Sequence, residues 1–328
     1  MPAAIVVKNL TKEFEVPAEG KTGVVATLLR KNKKIRAIDR VSLAIQEGEI
    51  LGYIGPNGGG KSTTIKLLTG ILTPTQGEAT VIGFTPWKER SEYTRHIGVV
   101  FGQKSLLNWD VAPVESFRLY KEIYEMDEAT YAARIHYLAK LFTIEQFMHT
   151  PTRKLSLGQR MRCELVAALL HKPRVLFLDE PTIGLDAIAK QKMREAIREV
   201  NRKEKTTIIL TTHDMNDIEE LASRIMILDK GKIIYEGDLD KMKNEFAQEH
   251  KIVFEPNRVK DEKKFAQFIE KYDAEQSGRF YTLVFNSKTI KPKRVLDELF
   301  DLCDLEGFEV FAPTLEEVIR EIYAHQPA

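Results

Sequence analysis

Short, unbroken apolar blocks recur along the first 240 residues. Ile50-Leu51-Gly52-Tyr53-Ile54, residues 97–102, Val175-Leu176-Phe177-Leu178 and Thr207-Ile208-Ile209-Leu210 are too short for helices and lack polar alternation. Such blocks predict strands buried on both faces, as in a parallel sheet covered by helices. Residues 4–10 (Ile5, Val6, Val7) and Val41–Ile45 read as further strands. Helical spacing appears at Ile65, Leu68 and Leu72, and again at Met161, Leu165 and Leu169 inside a strand-poor stretch from about 110 to 171. Ile225–Leu228 and Ile233–Tyr235 flank Asp229-Lys230-Gly231-Lys232 and predict a hairpin. From about residue 245 the pattern changes. Ile252–Phe254, Tyr281–Phe285 and Phe308–Val310 alternate with helical patterns at Phe265–Tyr272, Leu296–Cys303 and Leu315–Ile322. This β-α-β-α-β-α unit has apolar faces for a core of its own. The expected organisation is a domain over 1–240 and a small α+β domain over 245–328.

Composition narrows the classes. The 328 residues are 43% hydrophobic and 30% charged, enough for two cores in a water-soluble chain. Forty-nine Lys and Arg against 48 Asp and Glu leave a net charge of +1, without the basic excess of a dedicated nucleic-acid binder. No apolar run reaches the roughly 18 residues of a membrane span. No signal peptide is expected at the start, and two cysteines (Cys163, Cys303) fit a reducing, cytosolic compartment better than a disulfide framework. One segment stands out. Residues 21–36 carry Lys21, Arg30, Lys31, Lys33, Lys34 and Arg36 with no acid, behind Val24, Val25, Leu28 and Leu29. The expectation is an insertion over about 15–36, outside any compact sheet. It is either a basic amphipathic helix on anionic lipid or a solvated loop.

Candidate chemistry begins at Gly55-Pro56-Asn57-Gly58-Gly59-Gly60-Lys61-Ser62, which satisfies G-x-x-x-x-G-K-[ST] between a buried strand and an amphipathic helix. Glycines let successive backbone N–H groups curl around phosphate oxygens, and the following helix adds its positive end. Lys61 is placed for the β- and γ-phosphates and Ser62 for Mg²⁺. The block Val175–Leu178 ends in Asp179-Glu180. There Asp179 can hold Mg²⁺ through water, and Glu180 can accept a proton from attacking water.

These motifs, with Leu155-Ser156-Leu157-Gly158-Gln159, Gln103 after a strand, Gly184-Leu185-Asp186 and His213, resemble the ATP-binding cassette family over roughly residues 4–240. The resemblance implies an α/β cassette core, its mixed sheet flanked by helices, and a helical signature subdomain at about 104–171. It implies ATP and Mg²⁺ as ligands. Nucleotide contacts fall to Gly55, Asn57, Gly58, Gly59, Gly60, Lys61, Ser62 and Thr63, with Phe14 stacking on adenine. Mg²⁺ falls to Ser62, Gln103 and Asp179. Hydrolysis falls to Glu180, with His213 on the γ-phosphate and Gln103 linking metal and water to the helical subdomain. In a head-to-tail dimer, Ser156, Gly158 and Gln159 would face the nucleotide of the opposite subunit, and Asp186 would communicate across the interface. Two positions depart from the family pattern: Leu157 stands for the usual glycine, and Gly59 for the usual alanine or serine.

The resemblance further implies a second cassette subunit, a separate membrane permease and a peripheral place on the cytoplasmic face of the membrane, with no nucleic acid. Leu106, Leu107, Trp109, Phe117 and Tyr120 are candidates for a permease-docking groove, or for the interior of the helical subdomain. Ala312–Val318, together with 156–164 and 181–186, resembles cassette subunits of multidrug and polysaccharide exporters, which favours export over import. A non-transport cassette acting on ribosomes or DNA is the remaining alternative. It is disfavoured by the single signature loop and the absence of long coiled-coil patterns.

Overall fold

The chain opens on a long hairpin. In the computed structural model, which describes residues 2–17, 32–102, 104–246 and 248–324, β1 (Ala3–Pro17) pairs antiparallel with β2 (Asn32–Gln46) along its whole length. This corrects the expected insertion at both ends, since residues 15–17 and 32–36 belong to the sheet. The cause lies across the strands. Glu13 faces Arg36 and Glu15 faces Lys34, so β1 supplies the acids that the basic run lacks. Residues 18–31, with Lys21, Arg30 and Lys31, lie outside the described part. β4 (Gln76–Val81) completes a three-stranded sheet in the order β2-β1-β4. Only Ala79 and Val81 of β4 are buried, too few to mark it as a strand in the sequence.

The second sheet has six strands. β3 (Ile50–Ile54), β5 (Ile97–Phe101), β6 (Val175–Asp179), β7 (Thr207–Thr211), β8 (Arg224–Asp229) and β9 (Lys232–Asp238) lie in the order β5-β6-β7-β3-β8-β9. The first five of that order are mutually parallel. Every residue of β3 and β7 is buried, as unbroken apolar strands between two covering layers require. Helix α1 (Lys61–Leu68) follows β3 and stops before Leu72, because Gly70 turns the chain at φ 72°. α2 (Arg90–Tyr93) precedes β5. The strand-poor stretch holds α3 (Pro113–Ile123), α4 (Glu128–Leu141) and α5 (Leu157–Leu169). α6 (Ala187–Glu204) and α7 (Met215–Leu221) follow β6 and β7.

The chain divides into two compact units, Met1–Gly237 and Asp238–Ala328. The second begins with α8 (Leu239–Phe246) and continues as β10 (Glu249–Val259), α9 (Glu262–Lys271), β11 (Glu275–Ser277), β12 (Phe280–Asn286), α10 (Pro292–Leu302), β13 (Cys303–Phe311) and α11 (Leu315–Ala324). Its antiparallel sheet runs β11-β12-β10-β13, the order of a split β-α-β fold. The expected β-α-β-α-β-α unit therefore gains a strand. Glu275-Gln276-Ser277 carries no apolar signal and sits at the sheet edge. Ile252, Phe254, Leu283 and Phe285 of the sheet close against Phe265, Phe268, Val295 and Leu299 of the helices. Among the described residues no helix is long and apolar enough to cross a membrane.

Candidate functional site

The carboxyl ends of β5, β6, β7 and β3 open on one edge of the six-stranded sheet, where open α/β sheets bind ligands. From β3 the chain enters the Gly55–Ser62 loop, which is fixed from behind by backbone. A side chain on Gly55 would strike the Leu228 carbonyl, and one on Gly60, at φ 110°, would lie 2.6 Å from the Ala37 carbonyl. Gly231, in the β8–β9 turn, donates its N–H to Gly59 O at 3.0 Å. Gly58, at φ 78°, has open space where a side chain would stand. The loop is thus walled on one side and clear on the other, as a phosphate cradle must be. Lys61 is buried and donates to Gly55 O at 2.6 Å and Pro56 O at 3.1 Å. Burial pushes its ammonium below the ordinary lysine range, while Glu180 and then Asp179 pull it back up.

Asp179 ends β6 beside this loop. One of its oxygens accepts from Ser62 Oγ at 3.3 Å and the other from Thr211 Oγ1 at 2.5 Å. Glu180 adopts a left-handed backbone, φ 56°, held by its N–H to Thr211 O at 2.9 Å. Its carboxylate meets His213 Nε2 at 3.0 Å. A cleft of about 220 Å³ adjoins them, lined among others by Ser62, Lys66, Gly102, Asp179, Glu180 and Ile183. Gln103 lies outside the described residues. Among the described residues no group of three or more His, Cys, Asp and Glu could hold a metal. One hydroxyl and one carboxylate, both hard oxygen donors, suit Mg²⁺ that takes its other ligands from phosphate and water.

Buried Asp217 braces this arrangement and escaped the sequence reading. It accepts from Thr182 Oγ1, from Thr212 Oγ1 at 2.9 Å and from Arg194 Nη1 at 3.0 Å. Thr182 follows Glu180 by two residues and Thr212 precedes His213, so one carboxylate ties together the loops that carry both groups. Thr211 was also missed. Its hydroxyl is part of an apolar strand, and nothing in that pattern marks it as a partner of Asp179.

Ser156, Gly158, Gln159 and Asp186 form a second cluster. Ser156 caps α5 in a reciprocal box: Gln159 N donates to Ser156 Oγ at 3.2 Å, and Ser156 N donates to Gln159 Oε1 at 2.9 Å. Asp186 caps α6 through Ala189 N at 2.8 Å. The short loop from Glu180 to Asp186 joins this cluster to the first. Asn57 and Thr63 belong to the phosphate loop and the first turn of α1. Phe14 lies on β1, opposite Ile35, with the Lys12 ammonium 5.2 Å from its ring. Of the five docking candidates, Leu107 and Phe117 are buried, and Tyr120 donates its hydroxyl to Leu106 O at 2.8 Å. Trp109 is exposed, as are Val111, Leu119 and Ile123.

Comparison with known proteins points to one family. The profile of the family described as ABC transporter matches residues 38–183. The ABC transporter ATP-binding protein NatA of Bacillus subtilis is 33% identical over 212 residues, covering 65% of this chain and 86% of NatA. The methionine import ATP-binding protein MetN 2 of Enterococcus faecalis is 31% identical over 239 residues, 72% of this chain and 65% of its own length. A solved dimeric ATP-binding cassette in a post-hydrolysis state, bound to ADP and Pi, superposes with a TM-score of 0.60 at 26% identity. The match covers 72% of this chain and 98% of that one.

Proposed function

The chain belongs to the ABC transporter family as an ATP-binding, ATP-hydrolysing subunit, and from that premise we propose that it drives export through a separate membrane permease, working as one half of a nucleotide-closed dimer. The observation that carries the reading is the convergence of the phosphate loop, the Ser62–Asp179 pair and the Glu180–His213 pair on one sheet edge. In this mechanism the loop N–H groups and Lys61 hold the phosphates. Ser62 and Asp179 would hold Mg²⁺, which would supply positive charge against the developing negative charge of the phosphates. Glu180 takes the proton of the attacking water, and His213 holds that carboxylate and faces the γ-phosphate. Ser156 and Gly158 of the opposite cassette close the site, adding donors where charge develops. Phe14 is assigned to the adenine and Gln103 to metal and water.

Docking to the permease is assigned to the exposed apolar group Trp109, Val111, Leu119 and Ile123 on the helical region. Docking there supports a peripheral position at the cytoplasmic face of the membrane. Export is favoured by the likeness of Ala312–Val318 to exporter subunits. In the fold that segment starts α11, where Thr314 and Glu317 cap each other at 2.8 to 3.3 Å. Import is the second reading, since a relative named for methionine import matches at similar identity. The test is purification of the tagged chain from membranes and from ribosome fractions. A polytopic membrane partner without an extracytoplasmic capture protein supports export. A capture protein in the complex supports import, and recovery with ribosomes alone overturns both.

A further inference from the structure

Two leucines and two glycines interlock at the second cluster. Leu157 is the first residue of α5, directly after the cap Ser156. Its side chain lies over Gly184, so closely that a Cβ built there would overlap Leu157 Cδ2. The next residue repeats the contact in reverse: a Cβ on Gly158 would lie 3.2 Å from Leu185 Cδ2. Each leucine thus fills the hollow left by a glycine on the other segment. Gly184 is also at φ 69°, which only glycine adopts freely. Both partners are rigid on their own account. The signature turn is locked by the Ser156–Gln159 capping box, and the loop by Thr182 on Asp217, by Leu185 N donating to Thr182 O at 3.2 Å, and by Asp186 capping α6.

We propose that Leu157 is a positioning residue that fastens the signature turn to the loop running from Glu180 to Asp186. The surfaces offered to the opposite cassette, Ser156 with the Gly158 N–H and Asp186, are thereby held as one body, in register with the chain's own Glu180. The proposal rests on the reading that Ser156 and Gly158 face the nucleotide of the opposite subunit. It explains the departure at this position: a leucine where the family has glycine is accommodated by a glycine two residues before Asp186. The contact of Leu157 is with Gly184, on the loop to Asp186, so its loss is expected to act on closure and turnover rather than on nucleotide capture.

The experiment is a double-mutant cycle on the full chain with Leu157→Gly, Gly184→Ala and the double variant. ATPase kcat and KM are read, with nucleotide-driven dimerisation measured in a Glu180→Gln background. Leu157→Gly is expected to lower kcat by roughly three- to tenfold with KM for ATP unchanged, the signature of a residue that supports the transition state and not nucleotide binding. Gly184→Ala is expected to lose more than about tenfold, because the new methyl group displaces Leu157 and the reacting groups with it. Adding Leu157→Gly removes that clash but leaves the strain of alanine at φ 69°, so the double variant is expected to recover part of the way towards the Leu157→Gly level, a non-additivity that general destabilisation does not produce. Leu157→Val, which keeps part of the contact, is expected to retain most of the rate. This arm decides the matter if Gly184→Ala does not fold. Wild-type or higher kcat and normal dimerisation in Leu157→Gly, or strictly additive losses, overturn the proposal. A higher rate would mark the natural signature turn as degenerate. Ser156→Arg is the separate control. If it hydrolyses ATP normally, the trans reading of Ser156 fails, whatever the Leu157 cycle shows.

Discussion

Glu180→Gln isolates a single chemical property. The amide has nearly the volume of the carboxylate, and its oxygen can accept the same bond from His213 Nε2, now 3.0 Å from Glu180 Oε1. The backbone at 180 is held independently, by its N–H to Thr211 O at 2.9 Å and by Ile183 N to its own carbonyl at 3.3 Å. What disappears is the capacity to accept the proton of water. Positioned general bases contribute about 10²–10⁴ in rate, or roughly 3–5 kcal/mol of barrier. Nucleotide affinity depends on the loop and Lys61, so it is expected to stay within about threefold of wild type. Equilibrium binding of Mg-ATP, single-turnover hydrolysis and sedimentation in ATP together read the outcome. Binding intact, hydrolysis down at least about a hundredfold and an accumulating ATP-bound dimer are expected. Hydrolysis within about fivefold of wild type refutes the base assignment. Binding and hydrolysis falling together would instead make Glu180 a structural support of the loop.

Lys61→Ala removes the cation and strands the Gly55 and Pro56 carbonyls. ATP affinity by calorimetry is expected to fall by about a hundredfold or more, as loss of a charge-assisted phosphate contact requires. A chain ending after Gly237 is expected to fold and bind ATP, because the phosphate loop and its carboxylates lie in the first unit. Loss of binding in a folded truncation would show that the second unit supports the site. His171 gives a pH prediction. It stacks on Tyr124 with centroids 3.8 Å apart, shares a 2.9 Å bond between Nε2 and Ile97 O, and has a buried Nδ1 without a partner. Burial lowers its pKa from 6.5 to about 4. The unfolded chain therefore binds the proton first, and stability present above pH 6.5 is lost as pH falls towards 4, by up to about 3 kcal/mol. Urea midpoints between pH 7 and 4.5 are expected to fall less steeply in His171→Gln than in wild type, and equal slopes would refute the assignment.

Legibility in the sequence followed locality. The phosphate loop, the Asp179-Glu180 pair and the signature turn are contiguous because each serves one strand end or one helix start, and a few adjacent residues suffice to specify such a feature. The parallel strands were equally plain, since burial on both faces erases polar alternation. Other elements were hidden for definite reasons. β4 buries only alternate residues near its end, and β11 buries none. The outer half of the β1–β2 hairpin reads as a charge run, because its neutralising acids lie about twenty residues away in sequence and directly across in space. Asp217 looked like any acid in a surface helix, and only tertiary structure shows it at the junction of Thr182, Thr212 and Arg194.

Leu157 shows the same limit more sharply. Set against the family pattern, it is a lone defect in a glycine-rich turn, and sequence reasoning can ask only whether a backbone N–H survives there. In the fold the leucine has a receptor, Gly184, and the neighbouring Gly158 receives Leu185 in return. Each glycine has a reason in its own segment, Gly184 its φ of 69° and Gly158 its place in the signature turn, and a second reason across the contact. Together they form a matched pair of contacts between two helix starts, each joining residues 27 positions apart in the sequence. A substitution that departs from a motif is therefore best judged by the surface that receives it. Here that surface is the loop between Glu180 and Asp186, so its consequence is expected in turnover and dimer closure before it appears in nucleotide affinity.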